Sequence, residues 1–174
     1  MMKNKKLVMA SVTIAIAIIC ILFVVILSHH KANIVMKFSI YPSSISNSSY
    51  YLVLYDDATL KCFFGERDTD DIQSEKYMSK TRKSARIKLQ EYEYDGLLYL
   101  ADWLSASGFT SSGLTCDDWY YTTLFYKGTA YKEVYQHSQS EAFKKLSDEL
   151  VWLSPIKIKG YSNVPGVAPQ RVQR

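Results

Sequence analysis

Residues 119–136 read WYYTTLFYKGTAYKEVYQ, two aromatic-rich runs on either side of Lys127 and Gly128. A Lys-Gly pair suits the two-residue turn of a tight β-hairpin, because glycine readily adopts the positive φ that such turns need. A turn of this length pairs Tyr126 with Thr129 and fixes which side chains share a face. The stretch therefore predicts an antiparallel hairpin, which favours an antiparallel sheet over a parallel one.

The predicted hairpin is aromatic on both faces. One face gathers four tyrosines with three other side chains: Tyr120, Thr122, Leu124, Tyr126, Tyr131, Glu133 and Tyr135. The other gathers Trp119, Tyr121, Phe125, Ala130, Lys132 and Val134. Only one face can pack on helices, so the other would expose aromatic area suited to a protein or carbohydrate contact. The candidate binding residues are the four tyrosines of the first face; alternatively, their rings cover the edge of the core with their hydroxyls in water.

A second hairpin is predicted nearer the N-terminus, where YYLVLY (50–55) and TLKCFF (59–64) flank a short polar break. Pairing of Asp56 with Thr59 would place these side chains on the core face: Tyr51, Val53, Tyr55, Leu60, Cys62 and Phe64. Its turn region LYDDATLK is similar to FYKGTAYK in the 119–136 hairpin. Either an old duplication with an insertion or shared turn chemistry explains the likeness.

The remaining segments supply two further strands and two helices. Alternation over 34–40 and over 85–89 predicts half-buried strands, whereas the polar stretch 65–83 is expected to be an exposed loop. Apolar residues at spacings of three and four predict helices over 91–106 and 140–153. This order predicts an α+β domain with an antiparallel sheet of about five to six strands and both helices packed on one face.

Residues 7–27 read LVMASVTIAIAIICILFVVIL, 21 residues with no charged side chain. As a helix this run is about 31 Å long, close to the roughly 30 Å of bilayer hydrocarbon. A secretory signal peptide would have a shorter apolar run and a small-x-small cleavage site, and the sequence here offers only Ser28. The run predicts an uncleaved transmembrane signal anchor over 7–28 that contacts the lipid bilayer. A cleaved signal and a buried core helix are the alternatives.

Charge indicates how the chain is oriented around this anchor. Three lysines lie within residues 1–6, against Lys31 and Lys37 close behind the apolar run, which favours a cytoplasmic N-terminus. The expected location is the cell membrane, with the main domain at 33–155 outside it and a disordered tail at 156–174. Without the first three lysines, the 21 Lys and Arg fall to 18 against 17 acidic residues. This balance gives no reason to expect nucleic acid as a partner.

Few side chains outside the anchor offer catalytic or metal chemistry. Cys62 and Cys116 could form a disulfide in an oxidising compartment, or remain two separate thiols. A Cys116–His137 nucleophile pair can be drawn, although no local motif supports it. The acidic run DTDD at 68–71 lacks the glycine and the distant glutamate of a calcium loop. The sequence therefore predicts no metal and no cofactor, and it favours a non-enzymatic role.

The run KYMSKTRKSARIK at 76–88 holds six basic side chains and no acidic one. Outside a cell it could meet an anionic polymer or lipid headgroups, so Lys80, Arg82 and Lys83 are further candidate binding residues. The alternation at its end also fits an ordinary strand with a charged outer face.

The anchor and the lack of a catalytic or metal motif together suggest a function class. We expect a single-pass membrane protein whose small external domain is a non-catalytic binding or assembly module for a protein or a surface polymer. One alternative is a surface-polymer or glycan binder that uses aromatic and basic residues. Another is a cysteine-dependent hydrolase.

Overall fold

The computed structural model describes residues 32–43, 46–113, 120–135 and 138–158. The strands are β1 (Ile34–Pro42), β2 (Ser49–Tyr55), β3 (Thr59–Arg67), β4 (Met78–Lys88), β5 (Tyr120–Tyr126) and β6 (Thr129–Val134). The helices are α1 (Glu91–Ala106) and α2 (Glu141–Leu153), with a short 3-10 helix at Ser46–Ser48. The anchor predicted at 7–28 lies outside the described residues, among which no helix is long and apolar enough to cross a membrane.

The six strands form one antiparallel sheet in the order β4-β3-β2-β1-β5-β6. β1 lies in the interior, between the β2–β3 and β5–β6 hairpins, and β4 and β6 form the edges. The prediction of an α+β domain with an antiparallel sheet and two helices is therefore confirmed for the part of the chain that the structure describes.

Both helices cover the same face of the sheet. β1 contributes Met36, Phe38 and Ile40 to this face, and all three are buried. The helices contribute an apolar stripe each to the same core cluster: Leu97, Ala101 and Leu104 from α1, and Phe143, Leu146 and Leu150 from α2. Burial of each large apolar side chain contributes roughly 1.5 to 3 kcal/mol, so this layer drives folding. The cluster extends to Ile158, and residues 159–174 of the predicted tail lie outside the described residues.

The β5–β6 hairpin has the predicted register. Tyr126 pairs with Thr129 across a two-residue turn. Lys127 and Gly128 both have positive φ, 46° and 81°. This is the type I′ geometry, whose twist matches that of the two strands.

The β2–β3 hairpin differs from the predicted register by one residue. Leu54 pairs with Leu60, which places Tyr55 opposite Thr59 at the ends of the strands. Residues 56–58 therefore form a three-residue loop, instead of the predicted loop of two. Ala58 adopts a positive φ of 60°. The Asp57 carboxylate accepts hydrogen bonds from the backbone N and the hydroxyl of Thr59, each at 3.0 Å, which stabilises this longer loop.

The shift in register exchanges the two faces of β2. Tyr50, Leu52 and Leu54 join the core, whereas the three residues predicted to be there lie on the opposite face: Tyr51, Val53 and Tyr55. The prediction for β3 holds, because Leu60 and Cys62 are buried in the core and Phe64 packs against it. The assignment of the β2 face from sequence was therefore wrong, since a change of one residue in pairing turns every side chain over.

The expectation of an exposed loop over 65–83 is wrong at both ends. β3 continues to Arg67 and β4 begins at Met78, which leaves only residues 68–77 as a connection, called here the 68–77 loop. β4 is an edge strand that is solvated on both faces, so its sequence lacks an apolar alternation. Ile87, predicted to be on an inward face, is 43% exposed for the same reason.

Gly65 on β3 lies against the backbone of β4. The pairing register shifts between Phe64 and Gly65, and a Cβ atom on Gly65 would lie 1.9 Å from the carbonyl oxygen of Lys80. That oxygen belongs to the backbone of β4 and cannot move aside as a side chain would. By contrast, a Cβ atom on Gly96 in α1 would meet nothing within 4 Å.

These two glycines should respond in opposite directions to the same substitution. Gly65→Ala should lower the free energy of unfolding by about 1–3 kcal/mol, because the β4 backbone must shift. Gly96→Ala should raise it by about 0.5–1 kcal/mol, because alanine is the better helix former. Urea unfolding of residues 31–174 measures both values. A Gly65→Ala variant as stable as the parent would contradict the close β3–β4 contact.

Candidate functional site

The four tyrosines proposed from sequence lie on the helix-covered face of the β5–β6 hairpin. Tyr126 and Tyr131 are buried in the core, and Tyr120 and Tyr135 are half-buried against it. Phe109, which follows α1, meets the Tyr131 ring edge-on with the ring centroids 5.4 Å apart. These tyrosines therefore pack the sheet against the helices and do not form an open aromatic surface.

Two of these tyrosines bind the helices through their hydroxyls. Tyr126 donates a hydrogen bond to Oδ1 of Asp102 on α1 at 2.7 Å, and Tyr135 donates to Oδ1 of Asp148 on α2 at 2.8 Å. The Lys127 ammonium lies 2.6 Å from the same Asp102 oxygen. Lys127 first, and Tyr126 next, hold the pKa of the Asp102 carboxyl below its usual value. The hairpin is thus hydrogen-bonded to both helices.

The opposite side of the sheet, called the outer face, carries the alternate side chains of the strands. Its members come from five strands: Lys37, Ser39, Tyr41, Tyr51, Val53, Tyr55, Lys61, Phe63, Tyr121, Thr123, Phe125 and Lys132. Cationic and aromatic side chains are the commonest types on this face. It is therefore the surface on which the hairpin exposes its second aromatic set.

The 68–77 loop covers the middle of the outer face. Its side chains Ile72 and Tyr77 are buried. The Tyr77 ring lies 4.9 Å from the Tyr51 ring, measured between centroids, and its hydroxyl hydrogen-bonds the Ser39 hydroxyl. Burial, with a smaller contribution from Tyr55, raises the pKa of Tyr51 to about 12. Burial also raises the pKa of Tyr77, so both phenols stay neutral at physiological pH.

Two open strips remain on either side of this loop, and each contains a cation–aromatic pair. On β2–β3 the Lys61 ammonium lies 4.7 Å from the centroid of the Tyr55 ring. On β5–β6 the Lys132 ammonium lies 5.4 Å from the centroid of the Tyr121 ring. Lys132 is exposed and the other three side chains are half-buried. Each strip therefore offers solvent both a positive charge and part of an aromatic ring.

The basic candidates Lys80, Arg82 and Lys83 lie on the edge strand β4 and are exposed. The Glu66 carboxylate lies 2.8 Å from the Arg82 guanidinium and 3.9 Å from the Lys80 ammonium. Arg82 is the larger cause of the lowered pKa of Glu66. Charged side chains on an edge strand disfavour pairing with another strand, so part of this charge has a structural role.

Cys62 is buried in the core on β3. Burial raises its pKa to about 11, so the reactive thiolate is scarce at neutral pH. Cys116 and His137 lie outside the described residues. The Cys62–Cys116 disulfide and the Cys116–His137 pair stay predictions.

Glu133 on β6 is a buried acid, only 2% exposed. Its Oε1 accepts a hydrogen bond from the backbone N of Ser112, which fastens the segment after α1 to β6, while Oε2 accepts none from any described residue. Across residues 32–158, leaving out the undescribed gaps, no three His, Cys, Asp or Glu side chains cluster so that they could hold a metal ion.

Sequence reasoning missed two sets of aromatic residues that lie outside the core. Tyr55 and Tyr51 were assigned to the core, and the correct length of the β2–β3 loop would have placed them on the outer face. Tyr92, Tyr99 and Trp103 are exposed on α1 at positions i, i+7 and i+11. That spacing was visible in the sequence as a second stripe, opposite the apolar one.

Comparison of the chain with protein-family models, with curated proteins and with solved structures finds no match.

Removing the two tyrosine hydroxyls should affect stability. Tyr126→Phe and Tyr135→Phe should each lower the free energy of unfolding by about 1 kcal/mol, because each loses a hydrogen bond to a helix carboxylate. Tyr99→Phe is the matched control, since its ring is 71% exposed, and its stability should stay within about 0.5 kcal/mol of the parent. Urea unfolding of residues 31–174 makes the comparison. Equal stability of all three variants would show that these hydroxyls do not hold the hairpin to the helices.

Proposed function

We propose that this chain is a single-pass membrane protein with a cytoplasmic N-terminus and a non-catalytic binding or assembly domain outside the membrane. The uncharged run at 7–27 and the lysines before it support the anchor and its orientation. The compact unit that begins at Asn33 follows this run by only five residues, 28–32. Such a linker reaches about 20 Å at most, which would hold the domain close to the membrane surface.

The observation that carries the binding role is the pair of cation–aromatic contacts on the outer face. The helices cover the other face, and the 68–77 loop covers only the middle of this one. Lys61 with Tyr55 and Lys132 with Tyr121 are left at its two sides. Aromatic rings on a rigid sheet lose little conformational entropy when they bind. We therefore propose the outer face as the contact surface, instead of the four tyrosines on the helix-covered face.

The chemistry of this face favours an anionic surface polymer as the ligand. Sugar rings stack on exposed aromatic side chains, and carboxylate or phosphate groups pair with lysine ammonium groups. Lys37 lies between the two strips, and its ammonium donates to the Gln73 carbonyl of the loop at 3.1 Å. The outer face thus carries one lysine on each of β3, β1 and β6, with those on β3 and β6 at the two sides of the loop.

Cell fractionation tests the anchor. The full chain should sediment with membranes and need detergent for release, whereas a chain lacking residues 1–30 should stay in the supernatant and still unfold in one cooperative transition in urea. The reason is that the only long uncharged apolar run is removed. Sedimentation of the shortened chain with membranes would contradict the anchor.

Polymer binding tests the outer face. Polygalacturonate is an anionic polysaccharide probe, and dextran is its neutral counterpart. Lys61→Gln with Lys132→Gln should weaken binding to polygalacturonate at least tenfold, a loss of about 1.4 kcal/mol, and high salt should act in the same direction. Dextran should bind more weakly to the parent.

The control for this test removes two charges elsewhere. Lys144→Gln with Lys145→Gln changes two exposed lysines on α2, which covers the opposite face of the sheet. Binding should change less than threefold in this variant. An equal loss in both double variants would mean that net charge alone drives the contact, and no measurable binding would rule out the polymer.

A further inference from the structure

The outer surface of the two helices carries exposed aromatic residues that the fold does not use. Tyr92, Tyr99 and Trp103 on α1 are 74%, 71% and 38% exposed, and Trp152 on α2 is 49% exposed. The three α1 residues fall within about 40° of one another around the helix axis, on the side away from the sheet. Four large rings in water on two neighbouring helices are more than the scattered apolar residues of an ordinary surface.

The two helices run antiparallel, which brings these rings together. The Lys145 ammonium, near the start of α2, lies 5.5 Å from the centroid of the Trp103 ring, near the end of α1. Glu149, further along α2, interacts electrostatically with Glu93 near the start of α1. Trp152, three residues after Glu149, therefore lies at the Tyr92 end of the pair. These rings and the charged residues between them are called the helix-pair surface.

This surface is suited to positive charge. α1 contains four acidic residues, Glu91, Glu93, Asp95 and Asp102, and no basic one. Burial raises the pKa of Glu149, and Glu93 and then Asp148 raise it further, so a cation placed beside it would relieve an unfavourable charge. The contact between Lys145 and Trp103 already shows an ammonium group held against an indole ring on this surface.

A complementary surface lies on β4 of the same chain. Residues 78–88 read MSKTRKSARIK, with five basic side chains and no acidic one. Lys83 is exposed, and Ile87 adds an exposed apolar group on the same side of the strand. Lys83 and Ile87 pair with Phe64 and Leu60, so both lie on the helix-covered side of the sheet. Successive side chains on one side of a strand are about 6.6 Å apart, so the stretch from Lys83 to Ile87 spans about 13 Å. The α1 rings from Tyr92 to Trp103 span about 16 Å, which is enough to accommodate it.

We propose that the helix-pair surface of one molecule docks on the β4 side chains of a second copy of this chain. β4 lies at an edge of the sheet, and the helix-pair surface lies on the solvent side of the two helices. One molecule can therefore use both surfaces at once. The contact is heterologous, because two different surfaces meet, and it builds a ring or an open chain of copies. Direct pairing of β4 with β4 is excluded by the like charges that it would bring together.

The contact rests on the proposed anchoring for its strength. Copies confined to one membrane meet at a high effective concentration, so an interface smaller than the usual 1,600 Å² or so can assemble them. This deepens the assembly role proposed above and leaves the outer face free for its ligand.

A complementation experiment with the full chain in detergent micelles tests the proposal. The first variant is Tyr99→Ala with Trp152→Ala, which removes two rings of the helix-pair surface. The second is Lys83→Glu with Ile87→Ser, which reverses a charge and removes an apolar group on the same side of β4; Lys83 makes no ion pair with another described residue. All four side chains are exposed, so the circular dichroism spectrum and melting temperature should stay near those of the parent.

Analytical ultracentrifugation gives the result. The parent should grow in mass with concentration beyond a dimer, and 0.5 M salt should reduce this growth. Each variant alone should associate at least tenfold more weakly. An equal mixture of the two should form a complex that stops at two chains, because each such pair keeps one intact interface.

Several outcomes would overturn the proposal. They are a parent that stays monomeric at 100 μM chain, variants that associate as the parent does through the apolar run, and a mixture that forms no complex. Failure here leaves the fractionation and polymer results unchanged, so the two proposals can fail separately. Glu149→Gln adds an independent check: it should weaken association while raising the melting temperature, because it removes a poorly solvated carboxylate that only a docked cation would stabilise.

Discussion

The alternation of side chains across the sheet is the constraint on which the rest of this structure depends. The chain has 14 tyrosines, and strand pairing decides for each one whether it meets the helices or the outer face. In the β5–β6 hairpin the type I′ turn places Tyr126 and Tyr131 under the helices and Tyr121 on the outside. In the β2–β3 hairpin the three-residue loop places Leu52 and Leu54 under the helices and sends Tyr51 and Tyr55 outward. Two turn conformations thus determine where the aromatic surface lies.

The helices cover one face of the sheet, and the apolar side chains of the other face would be exposed to water without the 68–77 loop, which covers part of them. Tyr77 and Ile72 fill the middle of the outer face, where Ser39 and Val53 would otherwise meet water. The hydroxyl of Tyr77 satisfies that of Ser39, so a buried polar group at the centre of the sheet keeps a partner. The loop leaves the two hairpins uncovered at its sides, and the lysines there partly shield rings that would otherwise form a bare aromatic patch.

The parts of the fold that the sequence predicted are those with a strong local signal. The helix over 91–106 was found at its observed bounds because its apolar stripe has a clear period, and the β5–β6 register followed from a Lys-Gly pair with few alternatives. The β2–β3 register was missed because Ala58, not glycine, adopts the positive φ, and the stabilising Asp57 contact is not a feature of periodicity. β4 was read mostly as a loop because an edge strand needs no apolar side. The four candidate tyrosines were correctly assigned together to one face of the β5–β6 hairpin. The sequence did not show that the helices cover this face, because that depends on packing between distant segments.

Charged side chains are also unevenly distributed among the surfaces of the domain, although the net charge of the chain does not show this. Beyond the apolar run the chain is nearly neutral, yet α1 is purely acidic and β4 purely basic. At physiological salt the screening length is about 8 Å, so these two elements act only on groups that come into contact with them. Each contains a large apolar side chain left in water, Tyr99 on one and Ile87 on the other. A surface that combines charge with exposed apolar area discriminates between partners better than a surface that has only one of these properties. A partner without the matching charge leaves an ion unpaired, whereas a complementary partner pairs the ion and covers the apolar side chain. The segregation of charge onto single elements is therefore the physical basis of the two contact surfaces that we propose on the helix pair and on β4.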